Sequence, residues 1–89
     1  MPLKKYELAL EQLRECNPNA YLFDGFEKAL IGMAEQFSNP TVACYDYNKC
    51  IKILMKRDKM TEDEAIEYFE FNVVGLGLGP TTSVILRTP

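Results

Sequence analysis

Histidine is absent from the 89 residues. Its absence removes the usual general base near neutral pH, the commonest zinc ligand, and the Ser–His and Cys–His pairs that activate a nucleophile. Cysteine is scarce and ill-spaced for chemistry. Cys16, Cys44 and Cys50 are an odd set with no C-x-x-C spacing. That argues against a disulfide framework and leads us to expect a reduced, cytoplasmic protein. Long apolar runs are lacking too, and nothing approaches the roughly 20 apolar residues of a membrane helix. Met1–Cys16 is charged and amphipathic, so neither a signal peptide nor a membrane partner is expected. Basic residues number 10 against 13 acidic ones, for a net charge of -3. This weighs against general nucleic-acid binding but leaves room for a local basic patch. No internal repeat and no low-complexity tail interrupts the chain.

What is present fits one globular domain, residues 1–89, with 47% hydrophobic and 26% charged residues. Pro2–Cys16 reads as a first helix, with Leu3, Tyr6, Leu10 and Leu13 on one stripe and Leu8 off it. Asn17-Pro18-Asn19 stops it. A second helix is expected from Asp24 to Phe37. Asp24 and Glu27 suit a reciprocal cap, and Phe26, Ala29, Leu30, Met33, Ala34 and Phe37 keep the helical period. Thr41–Tyr45 is short and β-prone, a strand or an extended lead-in. Asp46 caps a third helix running to about Arg57, with Tyr47, Cys50, Ile51, Leu54 and Met55 inward.

The strongest helix start is Thr61-Glu62-Asp63-Glu64. Thr61 and Glu64 form a capping box, and three acids occupy the first turn. This fourth helix should end near Asn72 or Val74, with Gly75 as its C-terminal glycine. Thr81–Leu86 reads as a terminal strand. The expectation is an α+β fold of about four helices with a small two-stranded element from Thr41–Tyr45 and Thr82–Leu86. Its core should hold Leu10, Leu13, Phe26, Leu30, Met33 and Phe37, with Ile51, Leu54, Ile66, Phe69 and Val84. A two-stranded sheet is marginal alone and open-edged, which makes a homodimer plausible.

Three groups of residues carry candidate chemistry. Lys49, Lys52, Lys56, Arg57 and Lys59 concentrate half of the basic residues in one ridge, a candidate partner-binding surface for an acidic protein or for nucleic acid. The acidic helix after it is expected to neutralise part of that ridge in an αα-hairpin. Gly75, Gly77 and Gly79, followed by Thr81 and Thr82, form a candidate ligand-binding loop for a nucleotide phosphate. These glycines follow a helix and precede Pro80, without the lysine of a phosphate loop, so a helix cap and turn explain them as well. Glu64, Glu67 and Glu70, one turn apart, could hold a hard metal ion, although an ordinary solvated face needs no metal. We assign no catalytic residue, no resident metal and no cofactor.

Three segments also resemble a set of small proteins encoded by bacteriophages and prophages. They are Asp24-Gly25-Phe26-Glu27-x-Ala29-Leu30-Ile31-Gly32, Tyr45-Asp46-Tyr47-Asn48-Lys49-Cys50-Ile51, and Met60-Thr61-x-x-Glu64-Ala65-x-Glu67-Tyr68-Phe69-Glu70-Phe71-Asn72-Val73. The likeness covers about Asp24 to Leu86, and E-Y-F-E-F-N-V is its most specific part. It departs at Gly75–Pro80 and Thr81-Thr82, where similar proteins have a bulky residue after the first glycine and a Gly-x-x-Thr-Pro segment. That family has no established activity, so the resemblance implies a phage setting and no site. With small size, missing catalytic chemistry and segregated charge, it leads us to expect a non-enzymatic accessory protein. Such a protein would bind a host or phage macromolecule, for instance as an anti-defence, anti-CRISPR-type inhibitor. The alternatives are a small nucleotide-binding protein and, behind it, a carboxylate-metal enzyme.

Overall fold

The computed structural model describes residues 4–72 and 82–89. Its elements are helix α1 (Lys5–Cys16), a 3-10 turn (Glu27–Ala29), strands β1 (Leu30–Ala34) and β2 (Val42–Asp46), helices α2 (Tyr47–Arg57) and α3 (Glu62–Asn72), and strand β3 (Val84–Leu86). The class is α+β, as expected. Among the described residues there are three α-helices and a three-stranded sheet, instead of about four helices and two strands. No helix among them is long and apolar enough to cross a membrane.

The helix ends follow from local side chains. Glu7 accepts the Lys4 N–H at 3.4 Å where α1 begins. At its end Pro18 holds Asn17 out of the helical region, and Asn17 leaves with φ -153 and ψ 91. The Asn17 amide then donates to the Thr41 carbonyl at 2.7 Å, tying the end of α1 to the start of β2. The Asp46 carboxylate accepts the Lys49 N–H at 2.9 Å, so the last residue of β2 is also the cap of α2. The expected capping box is formed in full. Thr61 N–H donates to Glu64 at 3.0 Å, and Glu64 N–H donates to the Thr61 hydroxyl at 3.2 Å.

The expected second helix from Asp24 to Phe37 is not formed. Gly25 turns the chain at φ 90, and Glu27 accepts the Gly25 N–H at 3.1 Å in place of an Asp24 cap. One 3-10 turn follows, and the chain then extends into β1, antiparallel to β2. The register pairs Leu30 with Tyr45 and Met33 with Ala43, and shifts between Leu30 and Gly32. That bulge explains the misreading. In a regular strand, residues three apart lie on opposite faces; one inserted residue puts Leu30 and Met33 on the same face. The i, i+3 spacing that suggests a helix is therefore the spacing of a bulged strand. Gly32 and Ile31 are also poor helix formers, while the strand gains ladder bonds from β2.

The sheet order is β1-β2-β3. β3 runs parallel to β2, pairing Cys44 with Val84, Tyr45 with Ile85 and Asp46 with Leu86. The expected pairing of the two β-prone segments is thus present. A parallel pair needs a long crossover, here containing α2 and α3. The Ser83 hydroxyl donates to the Tyr21 carbonyl at 2.6 Å and anchors β3 to the connector after α1.

The core lies between the helices and the sheet face that carries Leu30, Ala43 and Tyr45. α1 adds Ala9 and Leu13, α2 adds Cys50 and Leu54, and α3 adds Ala65 and Phe69. Phe23 and Phe26 complete it, each in its own set of ring contacts. Phe23 lies 5.1 Å from Tyr45, Phe26 lies 5.9 Å from Phe69, and Tyr47 lies 5.6 Å from Phe69. Two expected core residues are not buried. Phe37 is 95% exposed in the β1–β2 connection, because no helix carries it inward, and Val84 is 39% exposed on the sheet face opposite the core. Leu10, Met33 and Ile66 are partly buried at the core's margin.

Candidate functional site

The spacing of Lys49, Lys52 and Lys56 places them on one side of α2, opposite the buried stripe of Tyr47, Cys50, Ile51 and Leu54. All three lysines are exposed. Among the described residues, none forms an ion pair with a carboxylate. The expected neutralisation by α3 therefore does not take the form of interhelical salt bridges, although the two helices pack together. The reason is directional. α2 and α3 turn their apolar stripes toward the core, which sends their charged sides outward.

Arg57 behaves differently from its neighbours. Its guanidinium grips Asp58 through two hydrogen bonds of 3.0 and 3.2 Å and donates to the Gly25 carbonyl at 3.4 Å. It also lies over the Phe26 ring at 5.3 Å. The hydrogen bond to Asp58 is the main cause of an upward shift in its pKa. Arg57 thus clasps the Gly25 corner to the end of α2. Lys59 is exposed, in the left-handed conformation at φ 56, where the chain turns toward α3.

Arg87, after β3, is a cation that the linear sequence does not place near this helix. Its guanidinium lies 4.1 Å from the centre of the Tyr47 ring, and it pairs with Glu70 at 3.7 Å. It is one of the residues lining a groove of about 460 Å³. Ile51, Met55 and Ile66 line this groove, with Lys52 and Glu62 among its charged residues. Only the folded register of β3 against β2 could reveal this arrangement. The Tyr47 hydroxyl is buried and has no hydrogen-bond partner among the described residues.

Of the candidate ligand loop, Gly75, Gly77, Gly79 and Thr81 lie outside the described residues. Thr82 lies within them. Among the described residues its buried hydroxyl has no hydrogen-bond partner, and it borders a cleft of about 310 Å³ that also takes in Gln36, Asn39 and Val84. Glu64, Glu67 and Glu70 are exposed on α3. Among the described residues, no three His, Cys, Asp or Glu side chains gather closely enough to hold a metal ion.

The cysteines are free: Cys16 is exposed, Cys44 half-buried and Cys50 buried. Burial, with a smaller contribution from Asp46, raises the Cys44 thiol and pushes Cys50 up to about 12. Both remain thiols at neutral pH, unlike a nucleophilic cysteine. Tyr45 is likewise pushed up to about 12, chiefly by burial and against the opposing effect of its hydrogen bond from the Phe23 N–H. These groups serve packing, and the chemistry within reach of the ridge is electrostatic contact. No family model matches the chain, and no curated protein or solved structure shows significant similarity to it.

Proposed function

We propose that this chain is a non-enzymatic, single-domain accessory protein of phage origin that works in the host cytoplasm by binding a host or phage macromolecule. The sharpest form of this reading is an anti-defence inhibitor of the anti-CRISPR type. A protein partner with an acidic surface is preferred, with nucleic acid as the other polyanion that the same ridge would suit. The observation that carries the reading is the row of exposed lysines, Lys49, Lys52 and Lys56, without ion pairs among the described residues. A rigid helix presenting unpaired cations steers an acidic partner and fixes its register. Lys59 extends the row, whereas Arg57 supports it from within. The edge of β1, unpaired among the described residues, is a second route to association, between copies of the chain.

The test is retrieval of a partner from infected host lysate by the tagged protein, beside the Lys52→Glu/Lys56→Glu variant. Loss of a specific partner on charge reversal supports the reading, and undiminished capture rejects the ridge as the contact. Recovery of no specific macromolecule by either protein overturns it. The nucleotide alternative draws on the buried Thr82 hydroxyl, which has no partner among the described residues, and a nucleotide panel that leaves the melting temperature unchanged removes it. An unchanged melting temperature with Mg²⁺, Mn²⁺ and Ca²⁺ does the same for the metal alternative.

A further inference from the structure

A second surface, of opposite sign, lies on α3. We infer that the outward face of α3 docks a cationic, arginine-bearing segment of a partner protein. Glu64, Glu67, Tyr68 and Phe71 follow one another at i, i+3, i+4 and i+7, so they share one side of the helix. The buried residues of α3, Ala65 and Phe69, lie on another side. All four outward residues are exposed, Tyr68 at 40% and Phe71 at 76%. With Met60 and Asn72 they bound a cleft of about 350 Å³, room for one long side chain.

The chemistry of the cleft selects its occupant. Two aromatic rings offer faces on which a guanidinium can stack, and Glu64 and Glu67 supply the countercharge. The Glu64 carboxylate is already oriented by the Thr61 N–H, whose hydrogen bond is the main reason its pKa is lowered, so it stays ionised. Among the described residues, Glu67 has no ion-pair partner within the chain. Nucleic acid is disfavoured because both carboxylates would face phosphates. An uncharged apolar partner would leave the same carboxylates unpaired. An arginine flanked by apolar residues satisfies rings and acids together. This inference is independent of the lysine face of α2, and either can fail alone.

The experiment is fluorescence anisotropy with the full chain and a labelled short peptide alternating arginine and leucine. A peptide with glutamate in place of arginine is the control. The arginine peptide should bind saturably, and more weakly as salt is raised. Glu67→Gln/Phe71→Ala should weaken it by roughly tenfold or more, because it removes a charge and a ring together. Glu11→Gln/Glu15→Gln, which removes two exposed charges from α1, should change it by less than about twofold. All the altered side chains are exposed, and matching circular-dichroism melts establish that the variants fold. Equal weakening by the α1 pair would reduce the effect to general acidity and overturn the inference. So would absence of saturation, or preference for the glutamate peptide. Self-association by light scattering that Phe71→Ala abolishes would instead make a second copy the occupant, and would equally overturn it.

Discussion

Replacing Tyr45 with Phe tests the core at the point where sheet, connector and titration meet. Tyr45 is 1% exposed, and its hydroxyl accepts the Phe23 N–H at 3.0 Å across 22 residues of chain. The substitution removes one oxygen and leaves the ring in place against Phe23. A buried N–H then loses its acceptor, which costs roughly 1–3 kcal/mol. For a domain of this size that corresponds to a fall in Tm of roughly 4 °C or more. The pH dependence makes the prediction sharper. The folded phenol titrates at about 12 against an ordinary value of 10.0. The folded state therefore holds the proton that the unfolded chain releases first. Stability from this group is full below pH 10 and is lost as pH rises towards 12. A two-unit difference corresponds to about 3 kcal/mol. Urea unfolding of both proteins from pH 7 to pH 11 measures this. The variant should be the less stable at pH 7, and the gap should narrow steadily above pH 10. Equal stability at pH 7 would refute the hydrogen-bond argument. A gap that stays constant to pH 11 would refute the titration argument. Cys50 titrates in both proteins, so only its charge coupling with Tyr45, smaller than the effect of burial, remains in the comparison.

Gly25→Ala should destabilise by more than about 1 kcal/mol, because φ 90 is strained for any side chain and the new methyl would meet the Arg57 guanidinium. Adding Arg57→Ala should recover only the part due to that contact, which a double-mutant cycle of urea midpoints measures. Asp46→Ala should cost about 1 kcal/mol through loss of the α2 cap, while Asp46→Asn should retain most of it. A thiol reagent at neutral pH should label Cys16 at once and Cys50 only at the rate of unfolding, as mass spectrometry of timed samples would record. Charge reversal at Lys52 and Lys56 should change stability by less than about 0.5 kcal/mol, since neither lysine has an ion-pair partner among the described residues.

The parts of the fold legible in the sequence are those decided within a few residues. Asp46 and the Thr61–Glu64 pair mark helix starts because a cap is made by side chains three residues apart. Asn17-Pro18 marks an end for the same reason. β1 was illegible because its bulge reproduces the spacing of a helix, and only the ladder with β2 distinguishes the two. The ridge divides along the same line. Lys49, Lys52 and Lys56 share a face by helical geometry alone. Arg57 leaves that set because of Gly25 and Phe26, more than 30 residues away. Arg87 joins Tyr47 from the far end of the chain.

Tyr68 and Phe71 carry the same argument to the candidate surfaces. Read along the helix, they widen the apolar surface of α3 beside the expected core residues Ile66 and Phe69. Burial, however, depends on how much partner surface the fold supplies. α3 packs against α2 and the aromatic cluster, and it buries only Ala65 and Phe69 completely, a stripe one residue wide. Two aromatic rings are left beyond it, beside carboxylates. A sequence pattern records which residues are able to leave water. The topology decides which of them do, and the remainder is the surface on which a binding function is built.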